Sequence, residues 1–212
     1  RVYEAWALYY AGLVARQHRS RLEEVTWFEE ALSLARATRD AELQSLVLNE
    51  LGVRSLDDGD PSRARERLAE ALALARAEGN LRQVATVQVN LANLAKREGH
   101  MAEARQLYEQ VGDAAQVVES SPLRELSLNN LAILDLQAGR LASAATAFAE
   151  VRHLRAQRGD AAGLARVELN LGIVEQMQGA FPAAEANFLE AQRLARRHEL
   201  PLQEGRALYR LG

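Results

Sequence analysis

The chain has 212 residues, 48% apolar and 26% charged, with a formal net charge of −3. That balance fits an ordinary folded domain, shows no basic excess of the kind nucleic-acid binders carry, and leaves no apolar run near the roughly 20 residues that span a bilayer. There is no cysteine, so disulfides, cysteine–zinc sites and thiol catalysis are excluded, and the expected compartment is the reducing cytoplasm.

In chain order, the first 28 residues hold six of the eleven aromatics: Tyr3, Trp6, Tyr9, Tyr10, Trp27 and Phe28. A repeat of forty residues then runs through the whole chain. Small residues recur at Gly12, Gly52, Ala92, Ala132, Gly172 and Gly212, and Leu51, Leu91, Leu131, Leu171 and Leu211 precede five of them. Glycines recur at Gly59, Gly99, Gly139 and Gly179, followed by Ala64, Ala104, Ala144 and Ala184. The columns Phe28, Leu68, Tyr108, Phe148, Phe188 and Ala31, Ala71, Val111, Val151, Ala191 complete the pattern.

Each unit reads as two helices. The first carries apolar residues at i, i+4 and i+7, as in Val87, Leu91 and Leu94, and ends at a glycine suited to the left-handed residue after a helix. Ser20 to Glu23 reads as a capping box, Asp60-Pro61 and Ser121-Pro122 as N-cap and first-turn proline, and Asp40, Asn80 and Asp160 as further caps. Gly112-Asp113 interrupts a second helix, either as a tolerated defect or as a soft point. The spacing predicts units over about 1–40, 41–80, 81–120, 121–160 and 161–200 in a single array, plus a truncated helix over 201–212. In packing terms, Gly52 or Ala92 is expected to meet Ala64 or Ala104 of the facing helix. Because the chain begins at Arg1 and stops within a unit, it reads as a piece of a longer protein.

These columns resemble the tetratricopeptide repeat family: the Leu-small pair, the alanine twelve residues on, the large apolar residue four further and the small residue three further. The period is longer than the usual 34, and the family's closing proline is replaced by Arg76, Gln116, Ala156 and Arg196. Long units with Leu-Asn-Asn-Leu-Ala at 128–132 are similar to kinesin light chain and bacterial regulator repeats. The resemblance implies an all-α, right-handed solenoid of antiparallel helix pairs with a concave groove.

Six of the eight asparagines, Asn49, Asn90, Asn93, Asn129, Asn130 and Asn170, fall in first helices. At about 100° per residue, their columns lie roughly 100° to 160° from the Leu91/Leu131 direction, the side expected to face the groove. An amide that donates and accepts suits either of two tasks, bonding a neighbouring helix or bonding the backbone of an extended peptide. The resemblance implies ligand contact for some of them. Trp6, Tyr9, Leu13, Leu46, Val53, Leu126, Ile133, Arg166, Ile173, Met177 and Arg206 share that side, so the groove reads as mixed apolar and amide rather than strongly charged.

The expected function is therefore a scaffold binding a protein or peptide, with Asn49, Asn90, Asn93, Asn129, Asn130, Asn170, Trp6, Tyr9 and Arg166 as candidate contacts. Two alternatives are the sensing region of a larger bacterial regulator and a self-association module, a homodimer through an uncapped end. His18, His100, His153 and His198 fall in four different columns without metal-ligand spacing, and no phosphate loop or nucleophile motif appears. No enzyme activity, metal, cofactor, membrane or nucleic-acid contact is expected.

Overall fold

The computed structural model describes residues 1–18 and 20–211; the small-residue position expected at Gly212 lies outside the described residues. Among the described residues there are eleven helices and no strand: α1 (Val2–Gln17), α2 (Arg21–Thr38), α3 (Ala41–Asp57), α4 (Pro61–Ala77), α5 (Leu81–Arg97), α6 (Met101–Val117), α7 (Ser121–Gln137), α8 (Leu141–Arg158), α9 (Ala161–Met177), α10 (Phe181–Arg197) and α11 (Pro201–Leu211). The all-α class expected from the repeat is the one found. The helices form two compact units, Arg1–Glu119 and Ser120–Gly212.

The first unit holds α1 to α6. Short connections fold α1 on α2, α3 on α4 and α5 on α6, and each pair packs on the next. The repeat columns form its core: Phe28, Leu68, Ala31, Ala71, Leu43, Val47, Leu51, Val87 and Leu94 have no solvent exposure. The carboxylate of Glu24 is buried between Arg16 Nε at 2.9 Å and Arg54 Nη1 at 3.1 Å, joining α1, α2 and α3. Gly112 lies inside α6, which runs unbroken from Met101 to Val117 with Val111 and Ala115 buried. Burial of one face holds that helix through its glycine.

The second unit holds α7 to α11, with α7 on α8, α9 on α10, and α11 against both α10 and α9. Its core repeats the same columns: Ala132, Ala144, Phe148, Val151 and Val167, then Ala184, Phe188, Ala191 and Ala207.

Two local expectations change. The small column is not chiefly a contact with the facing alanine. A Cβ placed on Gly52 would lie 2.7 Å from Leu68 Cγ and 2.8 Å from its Cδ2, but 3.5 Å from the Ala64 carbonyl. The glycine makes room for the large side chain of the next helix. The caps also divide. Asp40, Asp60, Asn80 and Asp160 accept from Leu43, Arg63, Gln83 and Gly163 backbone N–H groups. Ser20 is an N-cap whose side chain makes no capping bond, and α7 starts one residue early, with Ser120 as N-cap, Ser121 already helical and Pro122 in the first turn.

Candidate functional site

The candidate residues in the first unit are held by the protein itself. Tyr9 is 8% exposed, its ring edge-on to Trp6 at 6.0 Å. Burial, with Glu50 adding to it, pushes its hydroxyl up to about 12. Trp6 is half-buried and donates Nε1–H to Asp40 Oδ2 at 3.0 Å. Asn49 is buried and accepts from Asn90 Nδ2 at 2.7 Å, a hydrogen bond between side-chain amides that ties α3 to α5. Asn93 accepts from the hydroxyl of Tyr108 at 2.6 Å. Tyr108 is the one hydroxylated member of the large-residue column, and Asn93 sits where its buried oxygen needs a partner.

In the second unit the candidates converge. Asn129, Asn130 and Asn170 line one cavity of about 970 Å³ with Arg166. Residues Leu126, Ile133, Leu169 and Ile173 supply its apolar part, and α11 contributes Leu202, Arg206, Tyr209 and Arg210. Each amide is half-buried. Asn130 donates Nδ2–H to the Leu126 carbonyl at 2.9 Å. Asn129 Oδ1 accepts from Arg155 Nη2 at 3.3 Å, which leaves its NH2 without a hydrogen bond among the described residues. Asn170 has no hydrogen-bond partner among them.

Sequence reasoning missed the centre of this wall. Positions 5, 45, 85, 125 and 165 are Ala, Ser, Ala, Glu and Ala, and positions 35, 75, 115, 155 and 195 are Ala, Ala, Ala, Arg and Ala. All ten are buried. The fourth unit alone replaces both small residues, and the replacements meet: Arg155 Nε lies 2.8 Å from Glu125 Oε1, each side chain 9% exposed. Arg155 also donates Nη1–H to the Gly163 carbonyl at 2.8 Å. A Cβ on Gly163 would lie 2.7 Å from Arg155 Cδ, so the glycine admits the arginine. Arg158 pairs with the other oxygen of Glu125. The readable signal was a double break in two small-residue columns within one unit.

These side chains set the charge of the site. Residues 120–212 hold eleven arginines and ten acidic residues, yet five of those arginines and only Glu125 of the acids line the cavity. Elsewhere in this unit five of the six arginines are matched, as in Arg140 with Asp135, Arg152 with Glu168 and Arg193 with Glu190. Arg166, Arg206 and Arg210 have no acidic partner among the described residues. The wall is thus basic, where the first-helix columns alone predicted little charge. Among the described residues no group of three or more His, Asp or Glu side chains could hold a metal ion, and no helix is long and apolar enough to cross a membrane.

Residues 83–157 match the tetratricopeptide repeat family model. No curated protein sequence matches the chain. Among solved structures, the apo form of RapI is similar with a TM-score of 0.81 at 13% identity, over 92% of this chain and 72% of that one. Nearly identical kinesin light chain-like repeats from Podosopora anserina give 0.72 at 19% identity, over 93% and 98%. A signal transduction ATPase with numerous domains from Pyrococcus horikoshii, which carries a tetratricopeptide repeat sensor, gives 0.87 at 10% identity, over 98% of this chain and 32% of that one. At these identities the likeness is one of fold: a solenoid of tetratricopeptide-type helix pairs.

Proposed function

We propose that this chain of tetratricopeptide repeats is a binding module that holds a peptide or protein segment in the cavity of its second unit. The observation that carries the reading is the division of the asparagines. Asn49, Asn90 and Asn93 are engaged by neighbouring side chains, whereas Asn129, Asn130 and Asn170 line a cavity together with apolar side chains. A cleft with an apolar surface and a few polar groups is the usual form of a ligand site. The NH2 of Asn129 donates to a backbone carbonyl, and Asn170 bonds both the N–H and the C=O of an extended segment. Arg155 fixes which way the Asn129 amide points.

A display screen of short peptides tests this, followed by affinity measurements on wild type and on Asn129→Ala with Asn170→Ala. Asn170 makes no hydrogen bond among the described residues and Asn129 gives up only the 3.3 Å bond from Arg155, so the variant loses little in thermal midpoint and at least ten-fold in affinity. Selected peptides that bind the variant unchanged would remove the cavity from the account, and a screen that yields no binder would remove peptide binding itself.

A further inference from the structure

The charge of the cavity narrows the chemistry of the bound segment, an inference that rests on the peptide-binding role proposed for this cavity. Five guanidinium groups against one carboxylate leave an excess of four positive charges around one cleft. Like charges gathered without counter-ions repel and cost stability. Of the six other arginines of this unit, five are paired with a carboxylate and Arg197 alone, among the described residues, is not, so the clustering at the cleft is not a general property of its surface. The buried Glu125 accounts for only one charge, and its role is local. It holds Arg155 and Arg158 against the wall, while Arg166, Arg206 and Arg210 stand exposed at the opening.

We propose that the bound segment carries a dense anionic group: two or more negative charges on adjacent side chains or on one phosphorylated side chain. The site is rich in donors, with guanidinium forks whose geometry matches carboxylate and phosphate oxygens bidentately. A lone terminal carboxylate supplies one charge and leaves three of the excess four unmatched. A phosphorylated side chain brings about −1.5 to −2 with three acceptor oxygens at pH 7, and a pair of acidic side chains brings a similar charge. Both sources share the chemistry that the arginines select, and the apolar surface from Ile133 and Ile173 takes a neighbouring apolar side chain.

Four labelled peptides in one leucine-flanked frame test the proposal by fluorescence anisotropy. The amide-ended frame carries at its centre Ser-Ser, Glu-Glu or Ser-phosphoserine, so that the two anionic peptides bring a similar charge, and the fourth is the Ser-Ser version with a free carboxyl end. The glutamate or the phosphoserine peptide binds at least ten-fold tighter than the serine amide, and the tighter of the two identifies the source. The free carboxyl end gains less than either. Arg206→Ala with Arg210→Ala abolishes the gain, and raising salt from 50 to 300 mM weakens wild-type binding steeply. Both arginines are exposed and unpaired, so an unchanged thermal midpoint verifies folding. Serine, glutamate and phosphoserine peptides within two-fold of one another, or a gain that survives the arginine variant, overturns the proposal. If neutral peptides bind and lose affinity with Asn129→Ala and Asn170→Ala, only the charge inference fails.

Discussion

Restoring the small residues at the break in the repeat separates what the buried ion pair does for folding from what it does for the site. In Arg155→Ala the Glu125 carboxylate loses the Nε contact at 2.8 Å, and Gly163 and Asn129 lose guanidinium donors. Breaking one partner of a buried pair typically costs about 3–5 kcal/mol. Arg158 still touches Glu125, which places the expected loss near the lower figure, about 3 kcal/mol. Glu125→Ala strands Arg155 but leaves its bond to the Gly163 carbonyl, for a loss of about 2–3 kcal/mol. The double variant recreates the alanine pair of the first, third and fifth units. Replacing a buried pair by apolar groups is commonly near neutral, and Glu125 and Arg155 both line the cavity, so the space they leave joins it. The double variant is therefore expected within about 1 kcal/mol of wild type, a coupling of several kcal/mol between the two sites. Urea unfolding of the four proteins measures this. A double variant as unstable as the sum of the singles would refute the reasoning.

Other outcomes concern single positions. Gly172→Ala gains about 1 kcal/mol of helix propensity, but its Cβ would lie 2.7 Å from Phe188 Cδ1 and 2.9 Å from Cζ in a closed core. Overpacking costs about 1–3 kcal/mol, so a lowered thermal midpoint is expected, and a raised one would contradict the contact. Gly205→Ala, with no atom within 4 Å of the new Cβ, raises the midpoint instead. Asn49 and Asn90 should show a coupling of about 0.5–1.5 kcal/mol in an alanine double-mutant cycle of unfolding; no coupling would mean the pair does not hold α3 to α5. Burial, reinforced by Glu190 and Glu175 and opposed by Arg152, raises the Glu168 carboxyl above its ordinary value. The folded state then holds that proton more tightly than the unfolded chain. Stability from this group is greatest at low pH and falls as pH rises from the ordinary carboxylate range through the raised value. Glu168→Gln, which copies Gln88 in the same column, should stabilise at pH 7 and make little difference below about pH 4, as urea midpoints at the two pH values would show.

The fold was legible because forty-residue columns such as Phe28, Leu68, Tyr108, Phe148 and Phe188 recur on buried faces, and burial on a helix has a period that sequence displays. The same period placed Leu126, Asn129, Asn130, Ile133, Arg166, Asn170, Ile173 and Arg206 on one side, and these line one cavity, whereas Met177, placed with them, does not. What each asparagine bonds was not legible. Asn90 reaches Asn49, forty-one residues away, and Asn93 answers a hydroxyl that only Tyr108 carries in its column. Such bonds depend on side-chain reach across helices, not on helical period. Of the basic wall, Arg166 and Arg206 were placed on the groove side, Arg155 and Arg158 were missed because they belong to a second helix, and Arg210 was missed although it continues the Asn90, Asn130 and Asn170 column. Ser20 failed as a capping-box side chain for a similar reason: the motif fixes spacing, while the bond depends on the dihedrals of one residue.

The central claim is that a peptide segment occupies the cavity of the second unit. Its most direct test is an NMR titration of labelled protein with a peptide selected by display, following side-chain amide and methyl resonances. The account predicts shifts at the Asn129 and Asn170 amides and the Ile133 and Ile173 methyls, with those of Asn49 and Asn90 unmoved. Shifts confined to other surfaces, with the resonances of Asn129, Asn170, Ile133 and Ile173 unchanged at saturation, would contradict it.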